Sequence, residues 1–163
     1  RIRAWRGQRR CFEMLRKARI SDIKAIHELV NRCAGRGERL PRSLAELYDN
    51  VRDYLVYEDH GNIIGTCALH ICWEDLAEIR SLAVSEGMRR RGIGRELVEA
   101  CLAEAKEFQI ERVFLLTYQE AFFRKVGFIL TDKKELPQKI WTDCIKCSKF
   151  PECDEAAMIK MII

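Results

Sequence analysis

The chain has 163 residues, 48% of them hydrophobic and 33% charged, with a net charge of +4. That is the composition of one globular domain and not of a disordered or fibrous protein. No stretch reaches the length of a membrane span and no apolar signal core opens the chain, so neither a bilayer partner nor a secretory route is expected. Eight cysteines scattered through such a chain point to reduced thiols in the cytoplasm, not to a disulfide framework.

Arg1, Arg3, Arg6, Arg9 and Arg10 make residues 1–13 a basic extension ahead of Met14. It is expected to be a solvated, disordered tail, with Met14 as a candidate natural start. It lacks a folded recognition motif, so no nucleic-acid partner is expected. One domain is expected over 14–163. Met14–Arg19 reads as a strand. Ser21-Asp22 caps a helix through Ile23, Ile26, Leu29 and Val30, which recur at helical spacing. Pro41 opens a second helix through Leu44, Leu47 and Tyr48. Asp53–Tyr57 and Ile63–Ile71 are strands joined by the hairpin-forming residues Asp59-His60-Gly61-Asn62.

Leu76–Val84 is the next strand, and Gly94–Phe108 a long helix with Leu97, Val98, Cys101, Leu102 and Ala105 on one face. Val113–Thr117 reads as a strand, Ala121–Lys125 as a short helix and Phe128–Thr131 as a strand. Ala156–Ile162 closes the sheet. Early hairpins followed by a strand-helix-strand unit predict an α/β fold with a mixed sheet covered by helices.

Between the strand end Leu82-Ala83-Val84 and the helix start Glu96-Leu97-Val98 lies Arg89-Arg90-Arg91-Gly92-Ile93-Gly94-Arg95. A helix start carries unpaired N–H groups and the positive end of the macrodipole. Gly92 and Gly94 remove side chains that would keep an anion away from those amides. Such a turn suits a phosphate or pyrophosphate. The third glycine and following acid of a dinucleotide site are missing, as is the lysine of a Walker loop.

The full string, strand, Arg89-x-x-Gly92-x-Gly94, amphipathic helix, resembles the acetyl-CoA site of the Gcn5-related N-acetyltransferases. Ala77-Glu78-Ile79 upstream and Ala121–Phe128 downstream support that, and the resemblance covers roughly residues 14 to 131. It implies a mixed, mostly antiparallel central sheet with helices on both faces. It also implies an acetyl-CoA-dependent acyltransferase, with a homodimer left open. The pantetheine arm would pair with Leu82 and Val84 as an added strand. The pyrophosphate would rest on amides from Arg90 to Arg95, and Arg89, Arg90 and Arg91 are candidates for the 3′-phosphate.

Glu78 is the candidate base: the acceptor amine must lose a proton before it attacks the thioester, and Glu78 matches a glutamate that the histone-acetylating branch uses through a water. The competing role is an ion pair with Arg80, two residues along the same face. Many members carry a tyrosine that protonates the departing thiolate where this chain has Phe123. Tyr118 or a water is the substitute, and the thiol also leaves unassisted.

Leu15-Arg16-Lys17-Ala18, Asp22-Ile23, Leu40-Pro41-Arg42-Ser43, Cys67-Ala68-Leu69 and Leu115-Leu116-Thr117 are similar to the acetyltransferase domain of bacterial N-acetylglutamate synthases. The resemblance implies arginines holding the carboxylates of glutamate, which suits guanidinium forks. Arg16 and Arg42 fall at matching positions, with Arg80 a third candidate. Acetyl transfer to the α-amino group of L-glutamate, the first step of arginine biosynthesis, is the leading expectation. The long synthases also carry an amino-acid-kinase-like domain, for which these residues leave no room, and they differ at Tyr118-Gln119. Acetylation of another small amine, or of a protein N-terminus or lysine, is the alternative activity. A non-catalytic acetyl-CoA sensor is the alternative from another class.

The C-terminal segment 136–155 carries Cys144-x2-Cys147-x5-Cys153, which could ligate a structural zinc ion with Asp143, Asp154 or another chain. It lacks a second Cys-x-x-Cys pair, and reduced thiols in a substrate-covering loop are the favoured reading. No metal is needed for the chemistry. His27, His60 and His70 read as structural or surface residues.

Overall fold

The computed structural model describes residues 13–37, 41–136, 144, 145, 147 and 152–162. The basic extension thus lies outside the described residues except for its last position. Seven strands are described: β1 (Glu13–Lys17), β2 (Tyr54–Asp59), β3 (Asn62–Trp73), β4 (Leu76–Val84), β5 (Arg112–Thr117), β6 (Ile129–Leu130) and β7 (Ala156–Met161). They form one sheet in the order β1-β2-β3-β4-β5-β7-β6. Every pairing is antiparallel except β4 with β5. β7 therefore lies between β5 and β6, and the edges are β1 and β6.

The helices are α1 (Ile23–Gly35), α2 (Leu44–Asp49), α3 (Ile93–Glu107) and α4 (Glu120–Lys125). Both sheet faces are covered, as expected. On one face Ile23, Ile26, Leu29 and Val30 of α1 and Leu47 of α2 pack on Tyr54, Val56, Ala68 and Ala83. On the other, Leu97, Val98, Cys101 and Ala105 of α3 pack on Leu55, Cys67, Leu69, Ile79, Val113 and Leu115. The alternation of β3 and β4 residues between these clusters is the period-two signature of strands buried on both sides. Gly65 lets α3 approach closely, for an added Cβ would sit 3.0 Å from Ile93 Cγ2 and Leu97 Cδ1.

Several boundaries differ from the sequence expectation for local reasons. α1 starts after a short 3-10 turn at Ile20–Asp22, and Asp22 makes no side-chain cap for it. Its carboxylate instead accepts the Arg19 backbone N–H and the Arg16 fork. α2 is opened by Ser43, not Pro41: Ser43 Oγ accepts the Glu46 N–H, and Glu46 accepts the Ser43 N–H in return. This reciprocal capping box is written in the sequence as Ser-x-x-Glu. The β2–β3 hairpin turns through His60 and Gly61, both with positive φ (48° and 80°), as a tight two-residue hairpin loop requires.

Two irregularities of β4 open the sheet at one end. It pairs with β5 only through Leu76–Arg112, Ala77–Val113 and Glu78–Phe114, after which the parallel strands part. On its other side Arg80 faces Ala68 and Ala83 faces Thr66, so Ser81 and Leu82 together oppose Cys67. Ser81 has φ +55°. That extra residue is a β-bulge, which bends the strand and releases backbone groups from the ladder.

Candidate active site

The splay between β4 and β5 opens beside the start of α3. Gly92 is the residue before the helix, with φ +83°, and Arg90 is also left-handed at +64°. The first intrahelical bond runs from the Glu96 N–H to the Gly92 carbonyl at 3.0 Å. The amides of Ile93, Gly94 and Arg95 therefore have no carbonyl of their own helix to bind. They border a groove of about 280 Å³ lined by Leu82, Val84, Met88, Arg89, Arg90, Gly92, Ile93, Gly94, Arg95, Gln119 and Phe122. Cationic side chains and a helix N-terminus along one wall, with apolar strand residues along the other, match a ligand with phosphates at one end and an amide-bearing arm at the other.

Two residues of the expected cofactor string sit differently. Ala83 is buried against the α1 side of the sheet, so only its backbone is on offer. Arg91 is exposed and does not line the groove. Arg89 folds back, donating to the Val84 carbonyl at 3.4 Å and reaching Cys33 Sγ of α1 at 3.8 Å. Arg95 pairs with Glu99 one helical turn on, at 2.7 Å.

A second cavity, of about 110 Å³, continues the groove inward. Glu78, Arg80, Arg42, Leu115, Thr117, Phe123 and Glu155 are among its walls, and Leu82 and Gln119 line both spaces. The bulge residue Ser81 also faces it. Reactive ends of two ligands, one in each space, would meet at Leu82. Glu78 is almost buried, and Arg80 Nε donates to its carboxylate. The ion pair weighed from sequence is therefore present, inside the cavity rather than at a surface. Arg42 is fixed through its backbone, its N–H bonding Asn31 Oδ1 at 2.9 Å and its carbonyl accepting from Asn31 Nδ2 at 3.0 Å. Its guanidinium lies 3.6 Å from Glu46. Burial holds the Tyr54 hydroxyl above its ordinary pKa, and that hydroxyl bonds Ser81 Oγ at 3.1 Å.

Arg16, expected at the substrate, lines neither of these two cavities. It lies on edge strand β1, where its fork grips Asp22 at 2.7 and 3.0 Å and its Nε donates to Glu58 at 3.0 Å. Its role is to tie β1 to the turn before α1. Tyr118 turns away as well, its hydroxyl donating to Asp154. Phe123 is buried edge-on between Phe122 and Phe128, and lines the inner cavity with a ring that has no proton to give.

Ser81 and Asn31 do not stand out in the sequence. A non-glycine bulge has no composition signal, and Asn31 is one polar residue on an amphipathic helix.

Cys67 and Cys101 share a hydrogen bond across the β3–α3 interface. With burial it holds the Cys101 thiol well above its usual range, far from a thiolate nucleophile. Cys144, Cys147 and Cys153 form no metal-sized group with a further ligand among the described residues. Most of the segment around them lies outside those residues. No described helix is long and apolar enough to cross a membrane.

Known proteins resemble this chain in sequence and in fold. An uncharacterized N-acetyltransferase of Chlorobaculum tepidum is 43% identical over 148 residues, covering 91% of this chain and 96% of its own length. The amino-acid acetyltransferase of Mycobacterium tuberculosis is 41% identical over 123 residues, 74% of this chain and 70% of that one. Among solved structures, N-acetylglutamate synthase from Neisseria gonorrhoeae, complexed with coenzyme A and N-acetyl-glutamate, superposes with TM-score 0.84 at 25% identity. The match covers 95% of this chain but 36% of that longer one. A Mycobacterium tuberculosis protein solved in complex with CoA gives TM-score 0.80 at 30% identity, covering 92% and 99%. The model of the acetyltransferase (GNAT) family matches residues 23–128. The chain belongs to the acetyltransferase (GNAT) family, whose members move an acetyl group from acetyl-CoA.

Proposed function

We propose that the protein transfers the acetyl group of acetyl-CoA to the α-amino group of an acidic amino acid, L-glutamate above others. Kinship with amino-acid acetyltransferases supports the amino-acid part. The observation that carries the acidic part is the placement of Arg42 and Arg80 in one cavity with Glu78, within a volume of about 110 Å³. Two guanidiniums in so small a space favour a small molecule with two carboxylates over a peptide.

In this reading the α3 N-terminus holds the pyrophosphate and the splayed edge of β4 holds the pantetheine arm. Arg42 and Arg80 hold the carboxylates of the acceptor. Glu78 takes the ammonium proton, directly or through a water. The neutral amine then attacks the thioester carbon at Leu82, forming the C–N bond as the C–S bond breaks. No acyl-cysteine intermediate is needed, since the core thiols are buried and Cys101 is held protonated.

Alanine at Arg42 or Arg80 removes a charge-assisted hydrogen bond worth about 1.5–3 kcal/mol, or roughly 10- to 150-fold in affinity. The expected result is that rise in the KM for glutamate with the KM for acetyl-CoA nearly constant. Glutamate kinetics untouched in both variants would remove the physical support for a diacid substrate.

A further inference from the structure

The transfer has a proton balance that Glu78 alone does not close. The acceptor nitrogen enters as an ammonium with three protons and leaves as an amide with one. The thiolate of coenzyme A takes one of the two on its sulfur, and the other must reach solvent in every turnover. Glu78 is 9% exposed, faces a cavity that the substrate itself would fill, and is paired with Arg80, which has no lone pair to accept a proton.

His70 stands where an outlet is needed. It is the cross-strand partner of Glu78 in the β3–β4 ladder. Directly opposed residues project from the same face with Cβ atoms about 5 Å apart. This is the polar strip on the α1 side of the sheet, between the apolar cluster under α1 and a second one built on Cys72, Leu76 and Phe114. The His70 ring is bound on its other side, Nδ1 lying 2.7 Å from the Asp53 carboxylate. A carboxylate only accepts, so Nδ1 carries the hydrogen and the neutral ring has its lone pair on Nε2. The His70 and Asp53 side chains are 28% and 25% exposed, against 12% for Glu78. Exposure therefore rises along the strip from Glu78 to His70 and Asp53.

We infer that His70, oriented by Asp53, is the proton outlet of the site: it accepts at Nε2 the proton that Glu78 has taken from the acceptor ammonium, across one water or directly, and releases it to solvent. The inference rests on the reading of Glu78 as the base. Asp53 is a positioning residue that fixes the tautomer. The charged and titratable groups facing the His70 ring along this strip are Asp53 from the turn before β2 and Glu78 and Arg80 from β4.

The test is steady-state kinetics in a weak buffer, with and without added imidazole, on His70→Ala, His70→Asn and Glu78→Gln. Asparagine can still donate to Asp53 and preserve the local fold but cannot carry a proton. Both His70 variants should lose about tenfold or more in kcat, less than the ~10²-fold of losing a base outright, with both KM values within twofold of wild type. Imidazole should restore His70→Ala in proportion to its concentration and leave the wild-type rate unchanged. A wild-type kcat in His70→Asn, or a loss in His70→Ala that imidazole does not restore, overturns the outlet. Glu78→Gln separates the two readings: an unaltered rate there removes the base itself, whereas a slow Glu78→Gln beside a wild-type His70→Asn removes only the relay.

Discussion

Arg16 and Arg80 carry the same guanidinium, and their surroundings give them different work. The Arg16 side chain is 12% exposed and satisfied by Asp22 and Glu58, so it belongs to the architecture. Hydrogen bonding to Arg16 pulls the Asp22 carboxyl below the usual carboxylate range, burial pulling the other way. A carboxyl depressed in the folded state contributes stability above its unfolded value, about 3.9, and that contribution is lost as pH falls through the folded value. Arg16→Ala leaves a buried carboxylate without its main partner, a loss of about 3–5 kcal/mol. Its Tm should fall clearly at pH 7 while the KM for the acceptor stays put. The gap in Tm between wild type and Asp22→Asn should shrink as pH falls below about 4, where the carboxyl of the unfolded chain takes up its proton while the folded one is still ionised. At Glu78 the expected effect is kinetic: Glu78→Gln should lower turnover by about 10²-fold or more at neutral pH, with the KM for acetyl-CoA unchanged. A full rate would mean that the amine arrives neutral or that another group takes its proton.

The elements carry the site through backbone geometry more than through side-chain identity. Gly92 is needed for its φ of +83° at the start of α3. Alanine there strains the turn by about 1 kcal/mol and should raise the KM for acetyl-CoA severalfold without touching the acceptor. Gly65→Ala pushes a methyl against Ile93 and Leu97, an overpacking of about 1–3 kcal/mol to be read as a lowered Tm.

The strand Leu76–Val84 and the glycine turn are legible in the sequence. An apolar run and a helix start with paired glycines are local signals, and the structure has both at those residues. The Asp22 and Glu58 partners of Arg16 are not legible in the sequence, because residue spacing along β1 says nothing of what stands across from it. Asp22 looks like a cap for the same reason: its partners lie six residues upstream and at a backbone N–H before the turn. Ser81 is invisible, because a bulge at a non-glycine residue follows from the register of β3 against β4 and from no residue type. His70 reads as a scattered histidine until the ladder sets it beside Glu78.

At the scale of the molecule, one parallel pairing in an otherwise antiparallel sheet decides where chemistry happens. β4 and β5 hold together for three residue pairs and then part, which opens the groove at the α3 N-terminus on one side and the arginine-lined cavity on the other. On the proposed reading the cofactor's phosphates lie at the α3 N-terminus and the acceptor's carboxylates at Arg42 and Arg80, so that the thioester and the amine meet near Leu82, which lines both spaces. On that reading the inner cavity selects a small diacid amine, L-glutamate above others. The direct test is thiol release from acetyl-CoA by the purified protein across glutamate, glutamine, aspartate, polyamines and a peptide with a free N-terminus. Glutamate should give the highest kcat/KM, with the peptide and the polyamines far below it. Glutamate without advantage over glutamine, aspartate or the polyamines, or a peptide outrunning all of them, would contradict the account.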